Sequence, residues 1–547
     1  MPPHYTHATP ASISFPHTCV SPEGRFRVGI HAPCFAVDNL RENTFTAWLG
    51  QLPAGAPVWN HANFPKTDVQ EPAADTIYEI ANPLPFRGTT FINSAWAGPK
   101  AGCPEKIGIP RPQACSLSAS LDTWKNGLTD SDKIALIKAL PHPLKIALAQ
   151  ASTDPKELCA LAGHACTLVF DQDTASPAGM GFCQGPSGAP VPDIRFHDLF
   201  EVLVNNPHLP DAYKETMVLR PGIQGNSEIV GEYTGTATHV FEYLRRNSYI
   251  PWGHFASNMA SDAIRYRAQD LDDADIQGLR HLYYQRAYVR VAGQLGIRVP
   301  QKHSCLSEQS LEKLRMSITA ALDRGRGPEL DFNAALWGWN FGFGYAQSGH
   351  RLHASHQMIH QQNALVPRQV NDPAHGPLPA FSCGDLVSSF IRQYETAHDK
   401  PFFDAYIACI RNNRRTDGKN QGEASLIVYE DEHILLFAPK AQVSEWELQL
   451  MTKTPIPHVL AADTATRKAL DLAMLKAVQV LETLGADMVT GMELSGRFDE
   501  KNAGQHLVYC FIPRLPYAPA TFSEAQLRWI SGIYPEDFAH ACRRALA

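Results

Sequence analysis

The stretch from Ala335 to His360 restricts the fold more than any other part of the chain. It opens with an apolar, tryptophan-rich run, Ala335-Leu-Trp337-Gly-Trp339. A glycine-rich approach follows, Asn340-Phe-Gly342-Phe-Gly344-Tyr-Ala-Gln-Ser348-Gly. Then four histidines fall within eleven residues: His350, His353, His356 and His360. In a strand, alternate residues share a face, so His353, Ser355 and Gln357 point one way and His350, His356 and His360 the other. A strand, a glycine loop and a histidine strand deliver imidazoles and unpaired backbone N–H groups to one place. Phosphate chemistry needs those parts: a neutral imidazole as nucleophile or acid–base, and donors for phosphate oxygens. Two other readings stay open. Tryptophan and histidine beside a glycine loop can be plain packing. A helix over residues 353–362 would put His353, His356 and His360 on one face, as a metal site needs. The preceding glycines and the Asn363-Ala-Leu-Val-Pro367 exit suit a strand and loop better.

These residues resemble the galactose-1-phosphate uridylyltransferase branch of the histidine-triad superfamily. That family carries Asn-x-Gly, a small-residue turn with Ser, then His-x-His-x-Gln, and its second His forms a covalent nucleotidyl intermediate. Anchored on Asn340, Gly342 and Ser348, His353 falls on the nucleophile, Arg351 replaces the first His and Ser355 replaces the Gln. Anchored on Gln357, His353 becomes the first His and Ser355 takes the nucleophile's place. The first register is preferred because it keeps a nucleophile and matches three upstream residues. Both registers break the His-x-His pair, and both keep His353 in the site.

The bulk properties narrow the function classes. At 547 residues the chain has room for two to four domains. Net charge is −7 and no long basic run occurs, so neither nucleic acid nor an anionic membrane is an expected partner. The start, Met-Pro-Pro-His-Tyr-Thr-His, lacks the charged and apolar regions of a signal peptide. No run of eighteen apolar residues exists, so no span is expected. Twelve scattered cysteines without Cys-x-x-Cys read as reduced and cytoplasmic.

Residues 1 to about 125 mix turns with short strands such as Thr76–Ile80 and Gly88–Ile92. Helical spacing follows from Asp130 to Leu140 and again through Leu144–Leu148. No catalytic pattern is visible there, so residues 1–175 read as an accessory domain. Residues 172 to 192 read as loop, and the main boundary is placed there. Beyond it, Arg220-Pro-Gly-Ile-Gln-Gly-Asn-Ser-Glu228 resembles an element that holds structural zinc in the family. Met217 and Arg220 stand where its cysteines would, and neither can replace a thiolate, so no zinc is expected. Gly253 to Asp262 resembles a further family strand that has lost its Glu and one His. Helices are expected from Asp272 to Leu295, stopped by Gly296, and from Leu311 to Leu322, ended by Gly325. The plan then repeats. Ser425–Tyr429 and His433–Phe437 pair as strands, and Trp446–Met451 resembles the family's acidic strand with Glu447 in place. Asp463 caps a helix that Gly485 ends. Val508 and Cys510 replace two histidines of the family's second half, and residues 530–544 resemble its closing helix.

The reading is an α+β protein with two histidine-triad-like halves, 195–365 and 420–547, behind the N-terminal domain. The resemblance implies a nucleotidyltransferase or phosphorylase acting at the α-phosphate of a nucleotide-sugar or dinucleotide. His353, Ser355 and His356 are the catalytic candidates. Asn340, Gly342, Gly344, Arg351 and Gln357 are the substrate-binding candidates, with Arg351 as a charge-assisted fork. No cofactor and no metal are expected, and a homodimer is. The alternatives are a catalytically inactive nucleotide-binding or scaffold protein of the same fold, and a metalloenzyme using the clustered histidines.

Overall fold

The tryptophan run forms the strand Phe332–Gly342, and both its edges are paired. The computed structural model describes residues 17–40, 42–64, 67–110, 113–124, 127–186, 188, 190–204, 206, 208–217, 269, 271–299, 306–342, 359–419, 422–500, 504–515 and 525–547. On one side the tryptophan strand pairs with Ile359–Pro367, on the other with Met488–Leu494. The sheet continues through Val508–Arg514, Leu448–Thr452 and Ile434–Phe437 to Ile427–Glu430, seven strands, all antiparallel. Strands from both expected halves therefore share one continuous sheet. The second edge of the tryptophan strand is closed by the distant strand Met488–Leu494 rather than left open.

Period-2 alternation sends Trp337, Trp339, Phe341, Tyr509, Phe511, Leu448 and Leu450 to one face. They pack against the helices Asp273–Gln294 and Thr464–Thr483 through Ile276, Leu279, Tyr283, Leu470, Met474 and Val478. Both helices carry the expected punctuation. Asp272 and Asp275 make a reciprocal capping box, and Asp463 accepts from the Thr466 N–H. Gly296 and Gly485 follow the helix ends at φ 61° and 106°, a region that favours glycine. A third helix, Glu308–Ala321, buries Leu311, Leu314 and Ile318.

The opposite face carries Val508, Cys510, Met451, Leu435 and Phe437. It is covered by the helices Cys383–His398 and Phe402–Arg411 and by the N-terminal strands Ile77–Ala81 and Thr89–Asn93. Those two strands pair with each other. Gly29–His31 joins one edge, and Arg528–Ser531 joins the other in parallel. The closing helix, Pro535–Leu546, is locked by buried ion pairs, Arg415 to Asp537 at 2.9 Å and Lys440 to Glu536 at 2.5 Å. A third core gathers Ile137, Leu158, Leu161, Met180, Leu199, Phe200 and Met217 around the helices of residues 130–217. The stretch 172–192, read as loop, carries three short strands, Pro177–Met180, Phe182–Gln184 and Pro190–Pro192. Their proline and glycine content hid them, and Met180 anchors them to this core. Among the described residues no helix is long and apolar enough to cross a membrane.

Candidate functional site

Asn340 sits near the end of the tryptophan strand, on the face away from Trp339. Its Oδ1 accepts a hydrogen bond from the Thr490 hydroxyl at 2.7 Å. Across the ladder Asn340 stands opposite Thr490 on one side and His360 on the other. This part of the face is left accessible: Asn340, Thr490, Gly338 and Met492 are half-buried, while Leu336 and Gln362 are exposed. Among the described residues its carboxamide keeps N–H groups to donate, because Thr490 engages only the oxygen. Gly342 ends the strand opposite Met488. Gly344, Arg351, His353, Ser355, His356 and Gln357 lie outside the described residues, as do Ser348, His350, Arg220 and residues 253–262. What the ladder fixes is where that segment departs and returns, since Phe341 and Ile359 are direct neighbours across the hairpin.

One reading is corrected. The helix over residues 353–362, which would align His353, His356 and His360, does not extend that far: Ile359–Pro367 is a strand. The tryptophan strand supplies nine register partners to it, and a helix would leave that edge unpaired. Trp446–Met451 also differs. The strand begins at Leu448, because Trp446 adopts φ 66° and breaks the extended run.

Glu447, on the acidic position, is wholly buried beside Arg87. Arg87 Nη1 lies 2.6 Å from Glu447 Oε1 and 3.1 Å from Cys510 Sγ, and Glu447 Oε2 accepts from the Val443 N–H. Burial pushes the Cys510 thiol up to about 12, so it stays protonated and inert. An N-terminal guanidinium therefore fills the place next to Glu447, Val508 and Cys510, and it supplies the charge that neutralises the carboxylate. Nothing local in the sequence marks Arg87, whose partner Glu447 lies 360 residues away.

On the helix-covered face, Glu493 accepts from Tyr283 at 3.0 Å and from Tyr509 at 2.8 Å. Burial pushes its carboxyl up to about 7, against the pull of both hydroxyls. Nearby, Arg280 Nε donates to both Asp471 oxygens, at 3.0 and 2.9 Å, and its Nη1 has no partner among the described residues. Burial pushes the Asp471 carboxyl up to about 6, whereas a 2.9 Å ion pair favours its charged form. The Arg280 guanidinium holds Asp471 ionised. These groups lie behind the tryptophans, away from the accessible face, and their sealed positions suit structure rather than turnover.

The fold and site so far define an α+β protein built on one antiparallel sheet, with its accessible polar face at Asn340. No family model matches the sequence, and no curated protein matches it. Among solved structures the chain is similar to a GalT-like protein from Arabidopsis thaliana, at 13% identity over 44% of this chain and 69% of that one, TM-score 0.30. It is also similar to an ADP-glucose phosphorylase from Arabidopsis thaliana with bound ADP-glucose, at 14% identity over 44% and 67%, TM-score 0.30. A HIT-like protein from Bartonella henselae involved in cell-cycle regulation covers 22% of this chain and 85% of its own, at 24% identity and TM-score 0.17. These likenesses are of uridylyltransferase-like and histidine-triad-like proteins over less than half of this chain. No activity is carried across from them.

Proposed function

We propose that this protein is a nucleotidyltransferase or phosphorylase acting at the α-phosphate of a nucleotide-sugar or dinucleotide, and that it works as a dimer. The observation that supports it most is Asn340. It stands on an accessible face, held by Thr490, on the strand that leads directly into the histidine segment. Its free N–H donors suit a phosphate oxygen. In this reading His353 attacks phosphorus, the phosphorus–oxygen bond to the leaving group breaks, and a nucleotidyl-imidazole forms. Arg351 and Ser355 bind the phosphate oxygens, and backbone donors at Gly342 and Gly344 add to them. His356 and Gln357 assist proton transfer and phosphate binding. One imidazole still needs stabilisation of the developing charge, usually the largest contribution to such catalysis.

The test begins with a thermal-shift panel of nucleotides and nucleotide-sugars, ADP-glucose included. Radiolabelled nucleotide should then leave a covalent label on the wild-type protein. His353→Ala and His353→Gln should both abolish label and turnover, because an amide cannot attack phosphorus at a useful rate. A loss of only about 10²–10³-fold would instead make His353 an orienting donor. Elimination of activity by Ser355→Ala would then move the nucleophile to Ser355. The inactive, nucleotide-binding reading draws on Arg87, which fills the second-half position beside Glu447. Binding without any label or turnover would favour it.

A further inference from the structure

Arg514 is the last residue of the strand Val508–Arg514. Along that strand Tyr509 and Phe511 pack into the helix-side core, while Val508 and Cys510 pack on the opposite side of the sheet. The register runs unbroken to Arg514, so period-2 alternation puts Ile512 and Arg514 on the side of Val508 and Cys510. Asn340 is on that same side, away from Trp339. The cross-strand rows fix their separation. Gly342 lies opposite Met488, and Met488 opposite Arg514. One row inward, Asn340 lies opposite Thr490, and Thr490 opposite Ile512. Arg514 therefore stands two strands from Asn340, in the row where the tryptophan strand ends. With strands about 4.8 Å apart, the two Cα atoms are roughly 12 Å apart. Two polar side chains reaching across that gap leave room for a small anion between them.

The charge on this part of the sheet is one-sided. Arg514 is exposed and, among the described residues, has no hydrogen-bond or ion-pair partner. Other exposed arginines are neutralised: Arg368 by Asp499 and Arg411 by Glu430, both at 2.5 Å. The positions around Arg514 on its own face hold no acid: Gly338, Asn340, Met488, Thr490, Met492 and Ile512. Arg87, further along the same side, is already spent on Glu447. Met488, between Arg514 and Gly342, is buried, so an anion there rests on a partly dry floor. A guanidinium's parallel N–H groups match phosphate oxygens, and they bind them more strongly where water is scarce.

We propose that Arg514 binds the second phosphate of the substrate, the one next to the α-phosphate. This rests on the functional reading above, in which Arg351 and Ser355 serve the α-phosphate itself. When the His353 nitrogen bonds to the α-phosphorus, the bond from that phosphorus to the bridging oxygen breaks. Its electron pair stays on the oxygen, so the second phosphate departs with an added negative charge. Arg514 meets that charge on the accessible face.

The test is calorimetric titration of the full chain with the mono- and diphosphates of adenosine, guanosine, cytidine and uridine. Wild type is compared with Arg514→Gln and with Arg324→Gln, an exposed arginine beyond the helix Glu308–Ala321. For the base that the wild type binds best, Arg514→Gln should weaken the diphosphate about 10–100-fold and leave the monophosphate within about twofold. Unchanged diphosphate binding would overturn the assignment and leave the functional reading standing. Equal weakening of both nucleotides would put Arg514 on the α-phosphate and overturn its assignment to the second. An equal loss with Arg324→Gln would make the effect one of net charge and overturn it too. A wild type that binds no nucleotide would overturn the functional reading and this assignment together. Arg514 is exposed, so the variant should fold, which circular dichroism checks. If it does not, Arg514→Lys decides: it keeps the charge but not the fork, and should cost the diphosphate alone about tenfold. No loss in that variant would overturn the proposal.

Discussion

Glu493 is a carboxyl group that the fold has made sensitive to neutral pH. Burial lifts it to about 7, while the same group in the unfolded chain titrates near 4.5. Between those values the folded protein keeps the proton and the unfolded chain releases it. Stability from this group is therefore full below about pH 4.5, falls as pH rises to about 7, and is flat above. The span corresponds to something on the order of 3 kcal/mol at most. Glu493→Gln keeps the shape and removes the titration. Urea midpoints of wild type and variant, compared from pH 4.5 to 8, should diverge in the variant's favour as pH rises. A pH-independent difference would mean that Glu493 is ionised throughout. Nothing in the sequence distinguishes this glutamate from its neighbours. Its partners Tyr283 and Tyr509 come from a helix and a strand that only the folded sheet brings together.

Among the elements, the central pair of strands depends on one missing side chain. Gly491 lies opposite Trp339 in the ladder, and a β-carbon there would come within 2.2–2.6 Å of the indole. Trp339 in turn packs on Trp337 at 4.4 Å between ring centroids, and Trp337 stacks on Tyr283 at 4.8 Å. Gly491→Ala should displace this stack and cost about 1–3 kcal/mol, read as a lower denaturant midpoint with unchanged slope. An unchanged midpoint would show that the tryptophans have room to shift. Elements of this kind were legible to different degrees. The helices Asp273–Gln294 and Thr464–Thr483 announce themselves through Asp caps, apolar spacing and terminal glycines, all local signals. The strands of 172–192 did not, since proline and glycine outweigh a three-residue pattern. A motif marks Asn340 and Gly342 in the sequence, and the structure places both at the end of the tryptophan strand. The merging of two expected halves into one sheet was not legible, because pairing between distant strands leaves no local trace.

At the scale of the molecule, the two ends of the described chain share one structure. Thr89–Ile92 pairs in parallel with Arg528–Ser531, and the Trp529 indole donates to the Arg87 carbonyl. Gly88 permits this approach: it holds φ 89°, and a β-carbon would lie 2.3 Å from the Leu527 carbonyl oxygen. Gly88→Ala combines backbone strain with that clash, so it should cost at least about 1 kcal/mol. Hydrogen exchange should quicken in residues 77–93 and in residues 527–531 together. Loosening confined to residues 77–93 would deny the coupling.

That pairing also sets an order of events at the ribosome. Trp529 and Arg87 are 442 residues apart. At roughly 5–20 residues per second, about 20 to 90 seconds of synthesis separate the two partners. Throughout that interval the edge of Thr89–Asn93 stands without its parallel neighbour. Completion of this sheet thus waits on its last-made strand, Arg528–Ser531, and until then the edge of Thr89–Asn93 is open to wrong pairing.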